Sequence, residues 1–279
     1  MNTRAIKDFL LRSTTIRDGV TRAKETYRHY RTDCYIISYP KCGRTWLRIM
    51  LAKALAIHFN DPRETVWSPR DVICSVHRRH PYIRFTHDGV DHPPGRAQDA
   101  ERRYYRYKRK RVILLIRDPR DVLVSYYFQR TRREGESHEM RGFVRHPWWG
   151  IDRLIPFMRG WYEHRHVPVS FLLVRYADLH HDAGAELRKV LTFVNLRDVS
   201  EDTFRMAVRY ASFENMRRLS LRELAIDGRM APADIQDPES YKVRKGKIGG
   251  YTEYLSTAEI EYIEERMRRD LPTAFGYIC

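Results

Sequence analysis

A lysine, a glycine and a threonine lie close together in the segment Tyr39–Trp46, which reads Tyr-Pro-Lys-Cys-Gly-Arg-Thr-Trp. The β-branched and aromatic run before this segment predicts a buried strand, and the apolar residues after it recur at helical spacing. Such a turn directs backbone N–H groups from a helix N-terminus at its ligand, and the helix dipole attracts anions. Lys41 adds a positive charge, Gly43 permits close backbone approach, and Thr45 offers a hydroxyl. We interpret the segment as a phosphate-binding loop; the alternative is an ordinary turn with a solvated lysine.

The order of lysine and glycine distinguishes this loop from the Walker A pattern. In Walker A, four residues separate two glycines, and the lysine follows the second glycine directly before Ser or Thr. Here Lys41 precedes Gly43, which is the only glycine of the segment. The sequence therefore predicts no Walker-type magnesium site and disfavours metal-dependent nucleotide hydrolysis. A P-loop-type nucleotide-binding kinase nevertheless remains the nearest enzyme alternative.

A second strand-turn-helix unit follows the uninterrupted apolar run 112–116. A run without polar alternation predicts a strand that is buried on both faces of a parallel sheet. Pro119 is typical of a first helical turn and Asp118 of an N-cap. Arg117 leaves the carboxyl end of the strand, where ligands of open α/β sheets collect, and Ser125 lies about two helical turns further on. We predict that Arg117 and Ser125 form a second anion contact.

A third basic motif, Arg244-Lys245-Gly246, follows a loop that we predict at 227–240. Clustered cations with a permissive glycine suit a flexible clamp on phosphate, although such a segment could equally be a solvated basic loop. The adjacent His180 and His181 point in different directions and have no acidic cluster beside them, so we predict no metal site.

Composition limits the class of protein and of partner. The chain has 279 residues, a formal charge of +16 and four scattered cysteines, which are Cys34, Cys42, Cys74 and Cys279. The charge implies an anionic partner, whether nucleotide, nucleic acid, acidic glycan or membrane surface. The cysteine spacing argues against zinc sites and a disulfide framework, and the apolar runs are far shorter than the roughly 20 residues of a membrane span. We therefore expect a cytoplasmic protein.

Two basic stretches leave alternatives open. Residues 1–31 suggest a basic helical lead-in packed on the main domain, 32–279, and the alternative is an arm that makes peripheral membrane contact. The run Arg102–Arg111, with its interleaved tyrosines, could stack on single-stranded nucleic acid. We favour a solvated helical face there and expect no nucleic acid. A non-enzymatic RNA- or membrane-binding protein stays the alternative from a different class.

The remaining pattern predicts a single α/β domain whose central parallel sheet is flanked by helices. Further strands are expected at 72–74, 83–86 and 169–174, and helices at 187–194, 201–210 and 257–270. The polar, interrupted stretch 131–147 is predicted to be a mobile loop or lid.

Taken together, the three motifs resemble those of the nucleotide-dependent sulfotransferase family, which moves a sulfuryl group from 3′-phosphoadenosine-5′-phosphosulfate (PAPS) to an acceptor. The first loop is similar to the family's Tyr-Pro-Lys-Ser-Gly-Thr-Thr-Trp, the run 117–127 to its 3′-phosphate motif, and Arg244-Lys245-Gly246 to its C-terminal clamp. In addition, Phe85-Thr86-His87 resembles the family's Lys-Thr-His. The resemblance covers most of the chain and implies a P-loop nucleotide-kinase-like fold.

The resemblance also implies a role for each matching residue. Those expected at the 5′-phosphosulfate are Lys41, Cys42, Gly43, Arg44 and Thr45. Those expected at the 3′-phosphate are Arg117, Ser125, Arg244, Lys245 and Gly246, and those at the adenine are Trp46, Phe213 and Tyr176. His87 is the expected base, since a neutral histidine can accept a proton near pH 7, and Lys41 would stabilise the leaving group without a metal.

The acceptor class follows only coarsely from the resemblance. We expect a hydroxyl or amine acceptor, with a glycan, a glycolipid or a small hydroxylated metabolite as candidates, and 3′-phosphoadenosine-5′-phosphate (PAP) as the nucleotide product. Cys42 and Arg44 replace the family's usual Ser and Thr, and Phe85 stands where many members have a catalytic lysine. The family's dimerisation pattern is largely absent, and we infer no dimer.

Overall fold

The computed structural model describes residues 21, 23–60, 72–73, 80–90, 102–222 and 230–277. Most of the predicted N-terminal lead-in, Cys74, Cys279 and the first part of the predicted 227–240 loop lie outside these residues. Residues 23–31 are helical. Among the helices of the described ranges, none is long and apolar enough to span a bilayer.

One five-stranded sheet forms the centre of the molecule. Its strands are β1 Cys34–Ser38, β2 Val72–Ile73, β3 Ile83–Thr86, β4 Arg111–Ile116 and β5 Ser170–Arg175, in the order β2-β3-β1-β4-β5. The strands β3, β1, β4 and β5 run parallel, whereas β2 pairs antiparallel with β3 at the edge. The predicted parallel sheet is thus confirmed for four strands.

Helices cover the sheet and confirm the predicted α/β class. They are α1 Arg44–His58, α2 Pro119–Phe128, α3 Met140–Val144, α4 Ile151–Glu163, α5 Tyr176–His181, α6 Ala183–Phe193, α7 Glu201–Tyr210, α8 Phe213–Arg222 and α9 Thr257–Asp270. Helix α2 begins as predicted, because the Asp118 carboxylate accepts the backbone N–H of Arg120 and Pro119 occupies the first turn. Ser256 and Glu259 form a capping box at the start of α9.

The core lies between the sheet and these helices. All five residues of β1 are buried, as are five of the six residues of β4. Helix α1 buries the predicted apolar stripe, including Leu47, Met50 and Leu51. Burial of these two strands on both faces fixes their carboxyl ends, from which the phosphate-binding loop and the Arg117 motif emerge.

The prediction of a mobile loop over 131–147 is wrong for part of that stretch. Residues Gln129–Arg133 form a π-helical turn that continues α2, and Met140–Val144 form α3. Phe143 and Val144 are fully buried in the core, so tertiary packing orders a segment whose own sequence is polar. In the basic run, Tyr104 and Tyr107 are buried while Tyr105 is exposed, which agrees with the expectation that its tyrosines do not share one surface.

Candidate active site

The carboxyl ends of three neighbouring parallel strands open into one cavity of about 460 Å³. Lys41 follows β1, His87 follows β3, and Arg117 follows β4, so the strand order itself brings these three side chains together. All but one of the other predicted site residues also line the cavity. These are Gly43, Arg44, Thr45, Trp46, Ser125, Tyr176, Phe213, Arg244, Lys245 and Gly246.

Cys42 is the exception. Its side chain is fully buried in the core, and burial raises the pKa of its thiol to about 12. A cofactor contact through this thiol is therefore excluded by the geometry, and only the backbone of Cys42 can serve a ligand. The sequence pattern could not show this, because the direction of a side chain within a loop depends on the loop's conformation.

The phosphate-binding loop has a strained, close-packed backbone. Lys41 and Gly43 both have left-handed conformations, with φ of 72° and 94°. A Cβ atom at Gly43 would lie 2.5 Å from the ring of Tyr176, so only glycine fits there. Helix α1 starts at Arg44 with no acidic residue in its first turn and no side-chain cap. Its first N–H groups are therefore available to an anion.

Lys41 lies among other cations. Its ammonium donates to the Oε1 atom of Gln129 at 3.1 Å. Burial, followed by repulsion from Lys242, Arg133 and other cations, lowers the pKa of Lys41 to about 7. Because an anion at this position would counter both effects, the lysine is suited to hold a negative group.

His87 is held as a neutral imidazole with a defined tautomer. Its Nδ1 atom lies 2.8 Å from the carbonyl oxygen of Ser38, which can only accept, so Nδ1 carries the proton. The Nε2 atom is therefore unprotonated and can accept a proton. Burial and repulsion from Arg44 lower the pKa of His87 to about 3. The neutral state is as predicted, but the basicity is well below that expected of a histidine that titrates near pH 7.

Arg117 connects the first loop to the C-terminal clamp. Its guanidinium donates to the carbonyl of Lys41 at 3.4 Å and to the carbonyl of Lys247 at 2.9 Å. The same group lies 4.4 Å above the ring of Tyr176. Arg117 thus positions the two segments that flank the cavity, in addition to lining it.

Asp121 anchors the clamp, and the sequence analysis did not identify it. This buried carboxylate accepts the backbone N–H groups of Gly249 and Tyr251 at 3.0 and 3.1 Å, and lies 3.6 Å from Arg117. The only signal in the sequence is the four-residue spacing between Arg117 and Asp121 on a predicted helix. That spacing is also common on solvated helix surfaces, so it was not informative alone.

The clamp residues line the cavity but are engaged with carboxylates. Arg244 donates to Glu239 at 2.7 Å, and Lys245 lies 2.5 Å from Glu253. Gly246 has φ of 59°, and a Cβ atom there would lie 2.9 Å from the ring of Phe213. The geometry thus places the predicted clamp at the cavity with its two cations fixed by acidic neighbours.

An aromatic cluster lines part of the cavity. Trp46 packs edge-to-face on Tyr176 with ring centroids 5.7 Å apart, and His180 lies 5.1 Å from Trp46. The Nε2 atom of His180 is 3.2 Å from the Tyr176 hydroxyl. Among the described residues no cluster of three or more potential metal ligands occurs. The place of His180 beside the aromatic rings was not apparent from the sequence.

The donor set of the cavity fits a nucleotide with two separated anionic groups. The Nε atoms of Arg117 and Arg244 are buried and make no hydrogen bond within the described part of the chain. A Cβ atom at Gly43 or at Gly246 would clash with an aromatic ring, so these two glycines allow the backbone to pack closely on Tyr176 and Phe213. Cations of the first loop, Lys41 and Arg44, and of the clamp, Arg244 and Lys245, thus line the same cavity, together with rings on which a base can stack.

Comparison with known proteins identifies the family. The model of the Sulfotransferase domain matches residues 31–274. The chain belongs to the sulfotransferase family. The amine sulfotransferase of Oryctolagus cuniculus is 25% identical over 264 residues, which cover 87% of this chain and 83% of the rabbit protein. The cytosolic sulfotransferase 12 of Arabidopsis thaliana is 21% identical, over 89% of this chain and 80% of the plant protein.

Solved structures share the fold of this sulfotransferase. A mouse sulfotransferase crystallised with PAP superposes with a TM-score of 0.56 at 17% identity, covering 86% of this chain and 84% of the mouse chain. Retinol dehydratase, in a complex with androsterone and PAP, gives a TM-score of 0.58 at 16% identity, over 86% of this chain and 80% of its own. These likenesses confirm the P-loop-like α/β fold.

Proposed function

We propose that this sulfotransferase moves the sulfuryl group of PAPS to a hydroxyl or amine acceptor by in-line transfer, with PAP as the nucleotide product. The observation that carries the proposal is the convergence of Lys41, His87 and Arg117 from three parallel strands onto one cavity. The mouse neighbour and retinol dehydratase were both crystallised with PAP, which supports the same nucleotide here.

Each part of the nucleotide has residues suited to hold it. Lys41, Gly43, Arg44 and Thr45, with the first N–H groups of α1, surround the proposed 5′-phosphosulfate position. Arg117, Ser125, Arg244, Lys245 and Gly246 form the proposed 3′-phosphate position. The rings of Trp46, Phe213 and Tyr176 line the part of the cavity that suits the adenine.

The chemistry requires a proton acceptor and a cation at the leaving oxygen. When bound, PAPS supplies the sulfuryl group: a bond forms between sulfur and the acceptor oxygen or nitrogen as the bond to the bridging phosphate oxygen breaks. His87 takes the acceptor's proton at Nε2, and Lys41 stabilises the charge that the bridging oxygen gains. The negative charge of the nucleotide opposes the repulsion from Arg44, so we expect it to raise the pKa of His87. No step assigned to these residues requires a metal ion.

Nucleotide binding is the first test. PAP at one hundred times its Kd should add about 2.7 kcal/mol to the free energy of unfolding, which is several degrees in the melting temperature of a chain of this size. ATP with magnesium, the ligand expected of a kinase, should shift the melting temperature less than PAP. The absence of a shift with PAP would refute the nucleotide assignment.

Sulfuryl transfer is the second test. Incubation with PAPS carrying a labelled sulfuryl group and a fractionated cell extract should label one class of hydroxyl or amine compounds. The variant Lys41→Met should abolish this labelling. Glycans, glycolipids and small hydroxylated metabolites are the candidate acceptors, and the rabbit relative is named an amine sulfotransferase.

Peripheral contact with an anionic membrane is a further part of the proposal. The helical residues 23–31 lie against the basic run at the amino ends of β1 and β4, because Lys110 donates to the carbonyls of Tyr30 and Thr32. The exposed residues of these two segments include Tyr30 and Tyr105 together with Lys24, Arg28, Arg31, Arg102, Arg106, Lys108 and Arg109. Clustered cations with interfacial tyrosines are typical of surfaces that bind anionic lipid.

Vesicle binding tests this surface. The protein should sediment with vesicles that contain phosphatidylserine and not with phosphatidylcholine alone, and Lys108→Glu with Arg109→Glu should weaken the binding. Tighter binding to a single-stranded oligonucleotide than to these vesicles would overturn the membrane assignment. A cytoplasmic location, and the division of the chain into a lead-in 1–31 and a domain 32–279, stay predictions.

A further inference from the structure

The wall of the cavity beside Lys41 is polar, and it is built by the π-helical turn after α2. Gln129 and Arg130 begin this turn and Glu134 follows it, and all three line the same cavity as His87. The N–H of Glu134 donates to the carbonyl of Gln129, five residues earlier, which is the hydrogen bond that defines a π-helical turn. A π-helical turn inserts one residue into the helix and so changes which side chains face the cavity.

The amide of Gln129 has a fixed orientation. A lysine ammonium only donates, so the atom of Gln129 that lies 3.1 Å from Lys41 Nζ is the amide oxygen. The amide nitrogen consequently donates to the Glu134 carboxylate, 2.9 Å away. Gln129 thus separates Lys41 from Glu134 by one neutral group, and the carboxylate does not compete with a phosphosulfate for the ammonium.

Further contacts join the turn to its neighbours. The guanidinium of Arg130 pairs with Glu134 and with Glu136, and it lies 4.1 Å above the ring of Trp149. Trp149 packs in turn on Tyr126, which also lines the cavity. Side chains that are fixed in this way can present hydrogen-bonding groups to a ligand without losing much conformational freedom on binding.

From this geometry we infer that Gln129 and Glu134 form a polar acceptor subsite, which selects acceptors that carry additional hydroxyl groups near the reacting one, as sugars do. This inference rests on the proposed sulfuryl transfer. Each Glu134 oxygen can accept more than one hydrogen bond, and the amide of Gln129 can both donate and accept, so hydroxyl groups have partners here. An apolar ring in the same place would cover the remaining donor and acceptor capacity of these groups without a hydrogen bond in return, at a cost in affinity.

A pair of alcohols tests the subsite. Methyl β-glucoside and cyclohexylmethanol both present a primary hydroxyl on a six-membered ring, but only the glucoside has ring hydroxyl groups. The wild-type kcat/KM should favour the glucoside by at least about tenfold, which corresponds to roughly one hydrogen bond to a charged group. Equal values, or a preference for cyclohexylmethanol, would overturn the inference.

Two variants locate the preference. Glu134→Met and Gln129→Met should each lower the ratio of kcat/KM for the glucoside to kcat/KM for cyclohexylmethanol by about fivefold or more. Gln129→Met should also lower both values, because the amide of Gln129 contacts Lys41. Glu163→Met is the matched control, because Glu163 is exposed on α4 outside the cavity lining. A general loss of structure would lower both values together, so a change in their ratio is specific to the subsite.

Acceptor binding to the enzyme loaded with PAP separates failure of the subsite from failure of the proposed function. The glucoside should raise the melting temperature of the PAP-loaded enzyme, and Glu134→Met should remove this increase while PAP still binds. If PAP binds and the glucoside neither binds nor reacts, the subsite is wrong and the nucleotide assignment stands. If PAP itself does not bind, the proposed function fails.

Discussion

The Nδ1 atom of His87 lies 2.8 Å from the carbonyl oxygen of Ser38, the last residue of the central strand. This bond sets both the tautomer and the direction of the imidazole, and the strand that supplies the carbonyl is buried along its whole length. The unprotonated Nε2 atom is thereby oriented by the strand that leads into the loop of Lys41, three residues after Ser38.

Replacement of His87 should affect chemistry more than nucleotide binding. We expect His87→Ala to lower kcat by roughly a hundredfold or more, since a positioned proton acceptor contributes at least that much. The Kd for PAP should change by less than about threefold, because His87 is assigned to the acceptor side of the transfer. Steady-state kinetics measures the change in kcat, and calorimetry measures the change in the Kd for PAP. Unchanged turnover with retained PAP binding would remove His87 as the base.

PAP affinity should depend on pH through Lys41. In the free enzyme the pKa of Lys41 is lowered to about 7, and a bound anion favours the protonated lysine. PAP binding above pH 7 therefore takes up a proton, and the Kd should rise between pH 7 and 9 by at most about tenfold per pH unit. Calorimetry in buffers of different ionisation enthalpy measures the uptake.

Lys41→Arg is the control for this pH dependence. An arginine stays charged over the whole range, so the proton uptake and the slope should both disappear. A wild-type Kd that is constant from pH 7 to 9, or a variant with the same slope as the wild type, would contradict the assignment of the shifted group to Lys41.

The clamp glycines should differ in their tolerance of alanine. Gly246 and Gly249 both have left-handed backbones, so alanine introduces similar strain at each, on the order of 1 kcal/mol. At Gly246 the new methyl group also meets the ring of Phe213, whereas nothing lies within 4 Å at Gly249. Gly246→Ala should therefore weaken PAP binding clearly more than Gly249→Ala. Equal effects on the Kd would argue against a close contact between Phe213 and the clamp.

Asp121→Asn should loosen the clamp. An asparagine has one accepting oxygen where the carboxylate has two, so one of the N–H groups of Gly249 and Tyr251 loses its partner, at a cost of about 1–3 kcal/mol. We expect a lower melting temperature and weaker PAP binding. Asp118→Asn is the control at the start of the same helix, because it keeps an N-cap acceptor and neutralises a carboxylate that pairs with Arg120 rather than with the clamp. Similar PAP affinities in the two variants would count against an anchoring role for Asp121.

Local patterns were sufficient to predict most of the elements. The uninterrupted apolar run 112–116 became a fully buried strand, and the Asp118-Pro119 pair marked the start of α2, because both signals depend only on neighbouring residues. The positions of Lys41, His87 and Arg117 at the ends of strands followed from the motifs. Their convergence required the order of strands in the sheet, which no local pattern contains.

The residues that sequence reasoning missed act through distant partners. Gln129 meets Lys41 from 88 positions away, and it does so because α2 continues as a π-helical turn. Asp121 binds backbone N–H groups nearly 130 positions further along the chain. Helix α3 forms in a polar sequence because Phe143 and Val144 enter the core. In each case tertiary packing decides the outcome, and the local propensity is weak or misleading.

The π-helical turn at Gln129–Arg133 forms the wall of the proposed acceptor subsite, and the number of residues in this turn determines which side chains face the cavity. An α-helical turn differs from a π-helical one by a single residue, and each residue turns an α-helix by about 100°. Deletion of one residue here would present a new set of side chains to the cavity while α2, the phosphate-binding loop and the clamp keep their places. Specificity for the acceptor could thus diversify by single-residue insertions and deletions, independently of the nucleotide site.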